Sequence, residues 1–544
     1  MSTGADSPAG AAAVRATMTD DERLAQLGYT PQLTRVLGLF SNFSVAFTYL
    51  SPMVGIYSLF ALGLGMAGPS YIWLTLVPLI GMLFVALVFG ELASHYPVAG
   101  ALYNYGKFSV GAGYGWFVGW FYGIALLVTV ASVDTGVVGY FTSLTHNWLG
   151  WNLNPASHGT ILWVTLLLLA IQTFLNITGT SVMAAVARFG VYVELVGTFG
   201  IAIVLGIHGF HHGFGYLFSS RGAANVHSNG LGFNFHGNWW TGAALIAVLA
   251  PVYIFYGFES AGDIAEETKD ASRQIPRAMR LALIWGGIAS LVLTGGLLLA
   301  IPAGHTGIAA TVAGGVPSIL AQLPTWLQDV ALLLIIYAFF SCGTSIQGAG
   351  SRLAFSYARD GALPGSRWIS RVSSRHKVPV NALLGGAGVT VLFMLLVFVS
   401  PKHNTSILWF TYPANVNALL ALVSFGVSGI YLSFFLTVIG SIIARSRGWI
   451  PGGAFRLGRW GWTVSIIAAA YLGLMFINVV LPSGITSPRE FFNYDWITLM
   501  VMVVIALVGG VYYIVGRPDR ALRRRLRAEL RDSEAERIDS TDGA

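Results

Sequence analysis

Four acidic residues stand inside stretches of sequence that are otherwise apolar: Asp134, Glu194, Glu259 and Asp263. A carboxylate away from water is costly, and it persists where it holds a proton, an ion or a cationic group. The plainer alternative for each is a structural hydrogen bond to a neighbouring helix. Glu259 directly follows a Pro- and Gly-containing run, Pro251-Val252-Tyr253-Ile254-Phe255-Tyr256-Gly257-Phe258. Aromatic faces at Phe255 and Tyr256 can take an ammonium group or lid a pocket. Past them, Asp263, Glu266 and Glu267 approach the end of the apolar stretch, where Arg352 and Arg359 are available as partners. Glu266, Glu267, Arg352 and Arg359 are therefore candidates for a gate, with solvated helix ends as the alternative.

Other clusters are less specific. Ser341, Thr344 and Ser345 form a group of hydroxyls that suits a sodium ion, or simply close helix packing. His208, His211 and His212 have metal-binding residue types, but no acid or cysteine lies nearby to complete a set. No metal and no cofactor is assigned. A nucleophile elbow, a metal-ligand motif or a phosphate loop is not visible, and the short loops leave no catalytic domain, so an enzyme is not expected. The single cysteine, Cys342, excludes an internal disulfide.

The elements that must position these residues follow from composition. Of 544 residues, 55% are hydrophobic and 10% charged, against about 25% charged in an ordinary soluble domain. A bilayer can accept that much apolar surface. A crossing helix needs about 20 apolar residues, and twelve segments qualify: 36–64, 71–94, 112–143, 160–180, 184–209, 241–265, 281–303, 327–351, 380–400, 413–444, 461–482 and 494–516. The expected fold class is an all-α integral membrane protein. A segment 1–35 precedes the membrane domain 36–516, and a basic tail 517–544 follows it. The early residues lack the apolar core and cleavage site of a signal peptide, so the first span is expected to act as an uncleaved insertion signal.

Orientation follows from the basic residues. With the N-terminus inside, 27 of the 30 Lys and Arg fall on the inner side, and only Arg221, Lys402 and Arg489 fall outside. The expected location is the cytoplasmic (inner) membrane, multi-pass, with both termini cytoplasmic. The net charge of +7 is thus accounted for without nucleic acid. The tail from Arg517 to Arg537 reads as an anchor against the bilayer.

Two spans carry breaks. The first contains Ser51-Pro52-Met53-Val54-Gly55-Ile56-Tyr57, where Pro52 disrupts the helix and Gly55 is expected to permit unwinding. The sixth carries the Pro251–Gly257 run. Breaks five spans apart fit two inverted repeats, 36–209 and 241–444, with two extra helices at 461–516. Interrupted helices at matching positions of inverted repeats commonly mark a mid-membrane substrate site. Ordinary proline kinks are the alternative.

At these residues the chain resembles the amino acid–polyamine–organocation superfamily, most of all its amino acid/choline transporter branch. Four stretches carry the resemblance: Leu27-Gly28-Tyr29 with the first break; Glu91 through Pro97-Val98-Ala99-Gly100 to Tyr103; Gly257-Phe258-Glu259 through Glu266-Glu267-Thr268 to Ile275-Pro276-Arg277-Ala278; and Ser351-Arg352-Leu353 through Arg359-Asp360-Gly361 to Pro364. The resemblance covers Leu24 to about Tyr513. It implies the 5+5 inverted-repeat fold of the bacterial leucine transporter, with alternating access, and uptake of an amino acid or a related amine such as γ-aminobutyrate or a polyamine.

In related permeases the substrate carboxylate meets exposed N–H groups at the first break, and its amine meets carbonyls there and at the sixth. Carried over, the substrate-binding residues are Ser51, Met53, Val54, Gly55, Ile56, Phe255, Tyr256, Gly257 and Glu259, with Asp134 pairing the ammonium. Met53 and Val54 depart from the family's Gly-hydroxyl-Gly pattern, and Ser51 is available to supply the hydroxyl. Glu194 matches a position held by a Lys in proton-coupled relatives, and is expected to gain and lose the coupled proton. Sodium coupling through Ser341, Thr344 and Ser345 stays open, as do an exchanger and a non-transporting sensor or subunit. Asn415 and Asn417 are candidates to border the pathway. The expected partners are the small-molecule substrate, a coupling ion and the lipid bilayer; oligomeric state is not legible.

Overall fold

The computed structural model describes residues 19–223, 239–240, 242–303, 305–398, 405–407, 410–412, 418–481, 496–518 and 520. Asn415, Asn417 and most of the basic tail lie outside the described residues. Among the described residues the chain is a bundle of helices. Ten are long and apolar enough to cross a membrane. They match ten of the twelve expected segments. The remaining two are the sixth, which is interrupted, and the ninth, Val380–Phe398. One addition was not expected: a two-stranded antiparallel ribbon, Thr405–Ile407 with Phe410–Tyr412, pairing Thr405 with Tyr412.

The first span consists of two half-helices, Leu39–Leu50 and Pro52–Ala67, jointed at Ser51. Ser51 has φ 38°, a left-handed conformation that costs a non-glycine residue about 1–2 kcal/mol. Pro52 occupies the first turn of the second half, where its missing N–H is tolerated. The expected role of Gly55 is corrected here. It lies within the second half-helix, not in an unwound stretch, and its missing side chain serves close packing instead.

The sixth span runs Ala243–Ala247 and Leu249–Ile254, opens at Phe255–Glu259, and resumes as Ser260–Asp263. Gly257 at φ 104° makes the turn, and a Cβ there would stand 2.7 Å from the Leu50 amide nitrogen. A glycine is required on both counts. The two breaks therefore interlock, with Gly257 against Tyr49 and Leu50, and Gly55 against Ile254.

The fifth span, Thr180–Leu195, passes through a π-helical turn at Val196–Gly200 before continuing as Ile201–Gly209. Such turns concentrate at functional sites. The third and eighth spans, Ala112–Gly136 and Thr325–Arg359, pack against the breaks, and the fourth, His158–Thr178, packs on both of them.

A short helix, Asp20–Gln26, docks against one end of the bundle. Thr19 and Glu22 form a capping box. The Asp20 carboxylate accepts from the N–H groups of Ala271 (2.6 Å) and Ser272 (3.3 Å) at the start of the seventh span, Ala271–Leu299. Arg23 donates to the carbonyls of Ser94 and Gly452. The N-terminal segment is thus built into the bundle from its twentieth residue.

Candidate functional site

Glu194 is buried and lies against the first break. The Ser51 hydroxyl donates to Glu194 Oε1, and the Met53 N–H donates to Oε2 at 3.2 Å. Ser51 Oγ in turn accepts from the Val54 N–H at 3.2 Å. The exposed N–H groups expected at this break are therefore satisfied within the chain. A carboxylate on the positive end of a half-helix is electrostatically favourable. Val54 and Ile56 are buried in the second half-helix, facing the core.

Asp134 is also fully buried, but it faces the fourth span: Gln172 Nε2 donates to Oδ1 at 2.8 Å, and Oδ2 has no hydrogen-bond partner among the described residues. Glu259 folds back onto its own break, its Oε2 accepting from the Gly257 N–H at 2.7 Å. Tyr122 of the third span lies between two acids, its hydroxyl 3.2 Å from Glu259 Oε1 and 2.8 Å from Asp263 Oδ2. One hydroxyl carries one proton, so it can donate fully to only one of them. Phe255 and Tyr256 are buried, and Tyr256 meets Tyr49 and Tyr253 edge-on at 6.1 and 5.8 Å. The hydroxyl of Tyr49 has no hydrogen-bond partner among the described residues.

The span-eight hydroxyls are engaged locally. Ser341 and Thr344 donate to the carbonyls of Ala338 and Phe340, and Ser345 bonds Thr48 of the first span at 2.8 Å. Among the histidines, His211 bonds Gln322 and His212 stacks on Tyr216.

The four gate candidates form two buried pairs. Arg352 donates to both oxygens of Glu267, at 2.8 and 3.0 Å, and to Thr180 at 2.9 Å. Arg359 donates to both oxygens of Glu266, at 2.8 and 3.1 Å. Sequence reasoning missed a third pair beside them: Lys107 and Asp360, 2.7 Å apart, with the hydroxyls of Tyr29 and Tyr103 also on Asp360. It missed Arg445 with Glu91 as well. Glu91, Lys107 and Asp360 lie in or near quoted motifs and Arg445 lies outside them, but the pairs are 253 and 354 positions apart, and one sequence shows no such pairing.

These bonds divide the buried charges into two populations. Glu91, Glu266, Glu267 and Asp360 each have a basic partner. Asp134, Glu194, Glu259 and Asp263 have hydrogen-bond donors but no ion pair among the described residues. The first group locks one end of the bundle; the second surrounds the breaks. A cavity of about 540 Å³ lies elsewhere. It is apolar, it runs between the third, eighth, ninth and twelfth spans, and it does not reach the breaks.

Both breaks and all the buried acids described fall within residues 37–506, which match the model of a family described as amino acid permease. The chain is 26% identical over 509 residues to an uncharacterised amino-acid permease of Schizosaccharomyces pombe, covering 91% of this chain and 85% of that one. It is 25% identical over 518 residues to the amino-acid permease BAT1 of Arabidopsis thaliana, covering 89% and 93%. It is 24% identical over 521 residues to the GABA-specific permease of Saccharomyces cerevisiae, covering 92% and 84%. These relatives are transporters and not enzymes. With two interlocked helix breaks at its centre and a family match that spans nearly the whole membrane domain, this chain belongs to the amino acid permease family of the amino acid–polyamine–organocation superfamily.

Proposed function

We propose that the protein is a secondary active transporter that takes up amino acids or related amines, γ-aminobutyrate and polyamines among them, across the cytoplasmic membrane by proton-coupled alternating access. The observation that carries this reading is the bond of Glu194 to Ser51 and Met53. A carboxyl group with no basic partner, placed on a helix break, links its own protonation to the shape and charge of the break. Ser51, Met53, Gly55, Phe255, Tyr256, Gly257 and Glu259 line the crossing of the two breaks, and Asp134 adds a second carboxylate to attract an ammonium.

The paired acids and bases form the inner gate, closed in this conformation. Glu266–Arg359 and Glu267–Arg352 must part for the substrate to leave. The residue-charge asymmetry puts this end and both termini in the cytoplasm. Residues 36–209 and 241–444 act as two inverted repeats, and the helices at 461–516 stand outside them.

The test is uptake into proteoliposomes. Labelled alanine, γ-aminobutyrate, putrescine and choline are presented with an inward proton gradient and no sodium. Accumulation that an uncoupler abolishes is the expected result. Uptake only with sodium overturns proton coupling and moves the ion to Ser341, Thr344 and Ser345. Binding without accumulation or exchange overturns transport in favour of a sensor or subunit.

A further inference from the structure

Every donor at the start of the second half of the first span is occupied by the chain itself. Pro52 has no N–H. The Met53 N–H is on Glu194, the Val54 N–H is on Ser51 Oγ, and the Gly55 N–H is on the Ser51 carbonyl at 3.1 Å. The Ser51 hydroxyl also points to Glu194. A carboxylate from outside has neither a backbone N–H nor the Ser51 hydroxyl left to meet at this helix end while Glu194 stays in place.

The fifth span is shaped to deliver this one group. Gly190, Glu194 and Gly197 share a face, being four and three residues apart. A Cβ at Gly190 would stand 2.8 Å from Ser341 Oγ and from Thr48 Cγ2, and one at Gly197 would stand 2.5 Å from Met53 Sδ. With both glycines bare, the helix approaches the break closely and presents Glu194 alone. Two buried hydroxyls have no hydrogen-bond partner among the described residues: Thr198, four residues on from Glu194 in the π turn, and Tyr57, four residues on from Met53 in the half-helix. The site thus holds spare donors beside a seated carboxylate.

We propose that Glu194 is an internal competitor for the carboxylate of the transported molecule. As an anion it occupies the half-helix end and excludes a second carboxylate. When it takes a proton, it loses the charge that the helix end attracts. The Met53 N–H and the Ser51 hydroxyl are then released to an incoming carboxylate, with the Tyr57 hydroxyl as a third donor. One proton therefore enters with each carboxylate, and the charge at the helix end stays at minus one. An amine that has no carboxylate does not compete for this seat. The inference rests on the amine-substrate, proton-coupled reading above and adds its specificity rule.

Among the described residues Glu194 is hydrogen-bonded to no charged group, and the other acids near the breaks, Asp134, Glu259 and Asp263, act alike on both members of each pair compared below. The titratable side chains on the elements packed against it, Tyr57 of the first span and Cys342 of the eighth, are both buried, and Cys342 donates to the Tyr49 carbonyl. Gln172 and Asn176 of the fourth span, both uncharged, bond Asp134 and the Thr344 carbonyl, and Arg188 of the fifth span itself is turned to Ser41. The remaining core charges are held elsewhere: Asp134 by Gln172, and Glu259 and Asp263 by Tyr122.

The experiment compares isosteres that differ only in the carboxylate. Binding of γ-aminobutyrate and n-butylamine, and of alanine and isopropylamine, is measured on the purified full chain between pH 5.5 and 8. Exchange of the same labelled compounds is followed in liposomes without a gradient. For the wild type we expect the Kd of the carboxylate-bearing member to weaken by up to about tenfold per pH unit above the Glu194 titration, as one linked proton requires. The amine member, its own ammonium staying charged throughout, should lack this fall, so that the ratio of the two Kd values carries the slope. In Glu194→Gln the slope should vanish. Glu194→Asp, which keeps a titrating group on a shorter arm, should retain a slope, and it serves if the Gln variant does not fold. A wild-type slope that is absent, that is equal for both members, or that survives in Glu194→Gln overturns the proposal while leaving transport intact. Folded wild type that neither binds nor exchanges any of the four overturns the substrate reading beneath it.

Discussion

Gly55 of the first span lies so close to Ile254 of the sixth that a Cβ on the glycine would overlap Ile254 Cγ1 and stand 3.3 Å from its Cα. The contact joins the two half-helices whose ends form the site. Overpacking a dense core typically costs about 1–3 kcal/mol, and here it would push the breaks apart. Gly55→Ala should lower the thermal midpoint and abolish uptake. Ile254→Ala alone should destabilise by about 2–5 kcal/mol through the cavity it leaves. The double variant should recover part of both losses, because the new methyl enters the new space. A strictly additive pair of effects would show that the two residues do not share this contact.

Arg352 and Glu267 are both fully buried, and the guanidinium meets the carboxylate in a two-point bond. Removing one partner of such a pair strands a charge, at about 3–5 kcal/mol. Arg352→Ala should therefore lower the midpoint of thermal unfolding strongly. Arg352→Met with Glu267→Gln removes both charges, and should be clearly milder than Arg352→Ala alone. If the conformation with this gate open is the more stable one in detergent, both variants will leave the midpoint unmoved, and the pair does not hold the closed state.

Much of this arrangement is legible from the sequence, for reasons that differ by residue. The spans are read from apolar length, and the two breaks from Pro52, Gly55, Pro251 and Gly257, because helix disruption is a local property. The joint itself falls on Ser51 and not on Gly55. Propensity points to the glycine, whereas the bond from Ser51 to Glu194 stabilises the strained serine and is visible only in three dimensions. Asp134 stands out as a buried acid, but its partner Gln172 lies on another span. Lys107 and Asp360 show no sign in the sequence of being partners. Sequence spacing places side chains along one helix, and pairing between helices depends on how the helices cross.

Tyr122 faces Glu259 and Asp263 with a single proton to give. Tyr122→Phe leaves both buried acids without that donor, at about 1–3 kcal/mol. Its thermal midpoint should fall. Adding Asp263→Asn to the Phe variant removes one of the two facing charges, and should recover part of the loss. Measured alone, Asp263→Asn should be milder than Tyr122→Phe, since Glu259 then keeps the hydroxyl to itself. No recovery in the double variant would mean that the two carboxylates do not repel one another across Tyr122.

Asp360, just beyond the eighth span, supplies a prediction about acid. Burial alone would raise its carboxyl, but the Lys107 ammonium beside it, hydrogen bonds from Lys107 and Tyr103, and the Arg359 charge together hold it below the usual range. A carboxyl whose pKa is lower in the folded protein stabilises it above its unfolded value, about 3.9, and loses that contribution as pH falls through the folded value. Between pH 5 and 8 the pair with Lys107 is therefore constant, and a change in transport over that range has another origin. Asp360→Asn strands the ammonium, and should destabilise the protein by about 3–5 kcal/mol at pH 7. As pH is lowered below about 4, the wild type loses the same interaction and the two proteins should converge. Unfolding midpoints across pH 3 to 8 decide it. A gap between them that stays constant down to pH 3 would show that Asp360 acts through packing and not through its charge.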